Sequence, residues 1–150
     1  MEYRKAPEHK FPAAFDDAFA AYKWTLANAP SLGDDPHKVA VMGESAAGSL
    51  AIATSIKARD SHIPLPVREV LVYPVAGVNM NTPSYVENAH AKSLDKPMMA
   101  WFVKYLIKIP ADLANPRPDG SKAVLAGLEP ATIILDQIDP LRSEGEGVTA

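Results

Sequence analysis

Apolar positions recur along this chain with two different spacings, and each change of spacing marks an element. Phe15, Phe19, Tyr22 and Leu26 stand at i, i+4, i+7 and i+11, while Asp16, Asp17 and Lys23 fall elsewhere on the wheel. That pattern predicts an amphipathic helix ending before Pro30. The turn-rich Ser31-Leu32-Gly33-Asp34-Asp35-Pro36 leads to the apolar run Val39-Ala40-Val41-Met42, which is short enough for a buried strand. An alanine-rich segment with Leu50 and Ile52 follows, and predicts a mostly buried helix reaching Lys57-Ala58-Arg59 before Pro64 and Pro66 forbid more. Val70-Leu71-Val72-Tyr73 is continuous rather than alternating, as in a parallel strand covered on both faces.

Residues 74–96 show no strong period and hold Asn79, Asn81, Pro83 and Asn88, which predicts a connection longer than most. Long loops at strand ends often shape binding sites. Asp95 before Pro97 starts a helix whose Met98, Trp101, Phe102 and Tyr105 form an apolar stripe. Core packing is the first reading of that stripe, and contact with an acyl chain the second. The turn cluster Asn115-Pro116-Arg117-Pro118-Asp119-Gly120 precedes a final strand, Ala131-Thr132-Ile133-Ile134-Leu135. Helices alternating with strands predict an α/β architecture built on a parallel sheet, with no repeat and no linker to divide residues 1–150.

The chemistry gathers at one junction, Gly43-Glu44-Ser45-Ala46-Ala47-Gly48, where the first strand passes into the alanine-rich helix. A serine on a strand-to-helix turn is lifted above the sheet, beside the free N–H groups of the new helix, which suits an acyl-transfer nucleophile. The spacing is that of the nucleophile elbow, Gly-x-Ser-x-Gly, with Ala47 at the last position. Alanine keeps the packing but would penalise a positive φ there. Two other glycine motifs fail on the same residues. A P-loop needs Lys-Ser/Thr after its second glycine, and Gly48 is followed by Ser49-Leu50. The dinucleotide fingerprint needs a second glycine where Ser45 stands.

With 150 residues, 47% hydrophobic and 22% charged, the chain has apolar material enough for one core. A formal charge of −3 and scattered Lys and Arg residues supply no basic field for nucleic acid. No apolar run approaches the ~20 residues needed to cross a bilayer, and no charged-then-apolar leader pattern opens the chain. The absence of cysteine excludes disulfides and thiolate metal sites, and a cytoplasmic location fits.

Several segments together resemble the bacterial esterases similar to hormone-sensitive lipase, within the α/β-hydrolase fold. Tyr3-Arg4-Lys5-Ala6-Pro7-Glu8-His9 resembles that family's Tyr-Arg-Leu-Ala-Pro-Glu segment, with Lys5 in place of leucine. Phe11-Pro12-Ala13-Ala14-Phe15-Asp16-Asp17-Ala18 is similar to the helix that follows it. The elbow, the strand Val70-Leu71-Val72-Tyr73-Pro74 and the turn Ile138-Asp139-Pro140-Leu141-Arg142-Ser143-Glu144-Gly145 continue the likeness almost end to end.

Residue by residue, the resemblance implies Ser45 as nucleophile, Asp139 as the acid that orients a histidine, and Ala46 as the donor of one oxyanion N–H. It implies hydrolysis of short-chain or small aryl carboxylic esters, with no metal and no organic cofactor. An aspartate just beyond a buried strand is also where a parallel sheet displays a catalytic side chain, and Ser before Asp is the hydrolase order. Asp136 is the rival acid, placed at the strand end rather than in the matching turn, and Glu44 is read as structural. The family's histidine should follow the acid, yet the eleven residues after Asp139 hold none, and His9, His37, His62 and His90 precede it and read as surface residues. The family's His-Gly-Gly-Gly segment is likewise absent before Tyr3. The expectation is therefore a partial hydrolase domain over residues 1–150, beginning inside a sheet strand and stopping within a helix, and lacking N-terminal strands and the C-terminal strand and helix. A non-catalytic remnant serving as a binding module, and an amidase or lactonase of the same fold, are the alternatives.

Overall fold

The computed structural model describes residues 1–149. Three short parallel strands, β1 (Val41–Glu44), β2 (Glu69–Val72) and β3 (Ala131–Ile134), pair in the order β1-β2-β3. Val41 aligns with Glu69 and Glu69 with Ala131, so the three C-terminal ends lie side by side. Five helices surround them: α1 (Ala13–Asn28), α2 (Ala46–Asp60), α3 (Pro83–Glu87), α4 (Lys96–Leu106) and α5 (Arg142–Gly147). None is long and apolar enough to cross a membrane.

The register puts Val41, Gly43, Glu69, Leu71 and Ile133 on one face, and that face packs on α2 through Ala51, Ile52 and Ile56. Crossing from one parallel strand to the next through a helix is what brings α2 back over the sheet. α2 is buried on nearly every side, as its alanine content predicts, because α1 covers it through Ala14, Phe15 and Ala18, with Phe11 just before that helix, against Leu50 and Ala53. The opposite sheet face is the open one, with Met42 71% and Ile134 51% exposed. β2 consequently alternates between buried and half-buried positions, and the expected cover on both of its faces is not found among the described residues.

α1 buries Ala14, Phe15, Ala18 and Tyr22, while Phe19 and Leu26 are half-buried, because small alanines allow close approach to α2. The α4 stripe is not core here: Met98, Trp101 and Phe102 are exposed and Met99 is the buried residue, seated against Tyr85 and Leu141. The long connection after β2 contains α3, a helix too short to show a period. The opening residues form turns rather than a strand. They are fixed to α1 by Arg4, whose guanidinium and main-chain N–H both bind the Asp17 carboxylate at 2.7–3.1 Å. Arg4 of the opening motif and Asp17 of the helix segment after it thereby acquire a structural reason.

Candidate active site

Ser45 occupies the step between β1 and α2 with φ 53° and ψ −119°, a conformation that costs a non-glycine residue free energy. Three main-chain bonds hold it there. Its N–H donates to Val72 at the end of β2 (2.9 Å), and its carbonyl accepts from Gly48 (2.9 Å) and Val75 (3.0 Å). The flanking glycines answer to close approach. A Cβ on Gly43 would strike the Ala47 carbonyl, and one on Gly48 would strike Pro74. Ala47 lies within α2 and has no positive φ, so alanine at the last motif position carries no strain. Ala46 opens α2, is exposed, and its N–H has no carbonyl one turn back to bind.

Asp139 lies in the turn between β3 and α5, 8% exposed. Its Oδ1 accepts from the Leu141 N–H at 2.8 Å, and its main-chain carbonyl accepts from Asn88 Nδ2 at 3.3 Å. Burial raises its carboxyl above the ordinary aspartate value; the Leu141 N–H works against this and the nearby Asp136 adds to it. The turn is clamped to α3, where Ser84 Oγ donates to the Pro140 carbonyl (2.6 Å) and accepts from the Ser143 N–H (3.0 Å). Asp136, by contrast, is exposed just past β3. All four histidines are exposed, and none is among the groups whose charge reaches Asp139.

Glu44 ends β1 and accepts from the Tyr73 hydroxyl at 2.8 Å, bridging two strand ends beside Ser45. That hydrogen bond is the first cause raising the Tyr73 hydroxyl above its ordinary value. Tyr73 itself has φ 32°. Sequence reasoning missed it as a site residue, although an aromatic immediately after a parallel strand sits at the functional end of the sheet. A cavity of about 390 Å³ runs along β2 and β3, lined by Glu69, Leu71, Ala131 and Ile133, and Ser45 is not among its lining residues.

A serine on a strained strand-to-helix turn and a buried aspartate past a later strand, on one parallel sheet, are the arrangement expected of the α/β-hydrolase fold. The chain belongs to the alpha/beta hydrolase fold family, whose pattern matches residues 1–150, as the sequence resemblance implied. It is 39% identical to carboxylesterase NlhH of Mycobacterium tuberculosis over 154 aligned residues, covering 97% of this chain and 47% of that protein. It is 34% identical to ethyl acetate hydrolase of Pseudomonas putida, covering 95% of this chain and 46% of the relative. Among solved structures, the thermophilic carboxylesterase EstE1 from a metagenomic library superposes with a TM-score of 0.93 at 42% identity, covering 97% of this chain and 51% of that one. The chain thus spans about half the length of the relatives it matches.

Proposed function

We propose that this site belongs to a carboxylic ester hydrolase that works through an acyl-serine intermediate. Ser45 Oγ attacks the ester carbonyl, the Ala46 N–H binds the oxyanion that develops, and the alcohol leaves as the acyl-serine forms. Water then releases the acid. Asp139 orients the imidazole that takes the serine proton and hands it to the leaving alcohol. The observation that carries the reading is the backbone of Ser45, whose positive φ is retained at the junction of β1 and α2 by three main-chain hydrogen bonds. Short acyl esters are the proposed substrates, supported by the relative whose name is ethyl acetate hydrolase.

A serine hydroxyl is a weak nucleophile until a positioned base accepts its proton. Residues 1–149 place no histidine on Asp139, so the 150-residue chain alone should turn over p-nitrophenyl butyrate no faster than Ser45→Ala. Added imidazole should supply the base and produce an acyl adduct on Ser45, read by intact mass and peptide mapping. Equal acylation of wild type and Ser45→Ala in imidazole would refute the assignment. Matched ester, lactone and amide substrates in the same assay separate an esterase from the other acyl-serine hydrolases.

A further inference from the structure

We infer that Glu144 is a positioning residue, whose ionised carboxylate ties the turn bearing Asp139 to the segment that supports the Ser45 elbow. This rests on the reading of Ser45 and Asp139 as the reacting pair. Glu144 lies on the first turns of α5 and is 5% exposed. Its Oε2 accepts from two successive main-chain N–H groups, Ala76 and Gly77, each at 2.9 Å and more than sixty residues away in sequence. The residue just before them is bound to the elbow: the Val75 N–H donates to the Ser45 carbonyl at 3.0 Å, and the Val75 carbonyl accepts from Ser49 Oγ at 2.6 Å. Residues 75–77 are therefore gripped by the nucleophile's turn at one end and by Glu144 at the other. On its own side, the Glu144 N–H donates to the Leu141 carbonyl at 3.0 Å, and Leu141 N–H donates to Asp139 Oδ1. A short path of hydrogen bonds thus joins the two segments through one carboxylate.

Packing alone does not explain a carboxylate here. The second oxygen, Oε1, is fully buried and accepts no well-formed hydrogen bond, the Tyr85 hydroxyl being the side-chain donor that faces the carboxylate, a cost that an apolar residue of similar size avoids. What the charge supplies is a charge-assisted grip on two amides, stronger than a neutral acceptor makes. The groups facing it are Tyr85 from α3 and Asp119 from the turn before the short helix Gly120–Lys122; Asp119 is itself paired with Lys122 at 2.7 Å. Arg142, on the same helix, is engaged by Glu87 and Glu146. Burial, first, and Asp119 raise the Glu144 carboxyl to about 7, while the two N–H groups and Tyr85 oppose the rise. Protonation of Glu144 weakens the grip on residues 75–77 and loosens the support under Ser45.

The test combines a titration that needs no turnover with an acylation assay. In wild-type protein labelled with ¹³C and ¹⁵N, the Glu144 carboxyl carbon and the amides of Val75, Ala76, Gly77, Ser45 and Ala46 should share one midpoint near neutral pH. In Glu144→Gln, which keeps the shape, the Ser45 and Ala46 amides should lose that inflection. With rates compared at equal concentrations of the neutral imidazole base, acylation of Ser45 should fall about tenfold in Glu144→Gln, as a small misplacement of a nucleophile costs, and the variant should lack the further step that wild type shows near neutrality. Ser45 and Ala46 amides indifferent to the Glu144 titration would overturn the inference, as would a Glu144→Gln variant with the wild-type rate and pH profile. If wild type shows no Ser45-dependent acylation, the reading of the reacting pair fails, and the amide titration still decides whether Glu144 couples the two segments.

Discussion

Glu69 is a buried carboxylate that lies beside a second one, Glu129. It is the first residue of β2, 4% exposed, and its side chain lies on the face packed against α2. The hydroxyl of Ser55 sits between it and Glu129, 3.5 Å from Glu69 Oε1 but 2.5 Å from Glu129 Oε1, so its single hydrogen goes to Glu129. Glu69 is left without a strong donor and beside a like charge. Burial first, and Glu129 second, raise its carboxyl from the ordinary 4.5 to about 7. The folded state then holds a proton that the unfolded chain releases, so stability falls as pH rises from about 4.5 to about 7 and levels off above. At about 1.4 kcal/mol for each pH unit between the two values, ionising Glu69 costs the fold up to about 3 kcal/mol. The adjacent cavity of about 390 Å³ can admit water, which makes that figure a ceiling. Glu69→Gln removes the ionisation and adds a donor beside Glu129, whose Oε2 has none. The variant should gain about 2–3 kcal/mol at pH 8 and less than about 1 kcal/mol at pH 5, measured by urea unfolding followed by far-ultraviolet circular dichroism. An equal effect at both pH values, or a loss of stability at pH 8, would refute the reasoning.

Other substitutions test other parts of the fold. Gly48→Ala drives a methyl into Pro74, and should cost about 1–3 kcal/mol of unfolding free energy in the same urea assay. Asp139→Asn should lower imidazole-supported acylation of Ser45 by roughly a hundredfold, whereas Asp136→Asn, exposed past the strand, should change it less than about twofold. Asp17 is held well below the ordinary aspartate value, at about 2, chiefly by its hydrogen bonds with Arg4. Its contribution to stability is therefore present above the ordinary 3.8 and is lost as pH falls through about 2. Asp17→Asn should release the opening turns at neutral pH, seen as faster amide exchange and proteolysis of residues 3–10 with little change in the rest of the molecule.

The elbow was legible in the sequence because its requirements are local. Gly43 is demanded by the carbonyl of Ala47, only four positions on, and the change from a strand run to an alanine-rich helix happens at Ser45 itself. The three strands and the three longest helices follow from short-range periodicity in the same way, and Asp139 from its place in a resembling turn. Tertiary structure decided what depends on the path of the chain between distant segments. No spacing rule connects Glu144 to Ala76 and Gly77, Tyr73 to Glu44, or Ser55 to Glu69 and Glu129. The α4 stripe shows the converse case, since its pattern announces an apolar face but the packing partners decide what is covered, and the residue of α4 they bury is Met99, which stands outside that stripe. Periodicity records which side of an element is apolar, whereas burial, charge state and the hydrogen bonds that join distant segments depend on which other element folds against it.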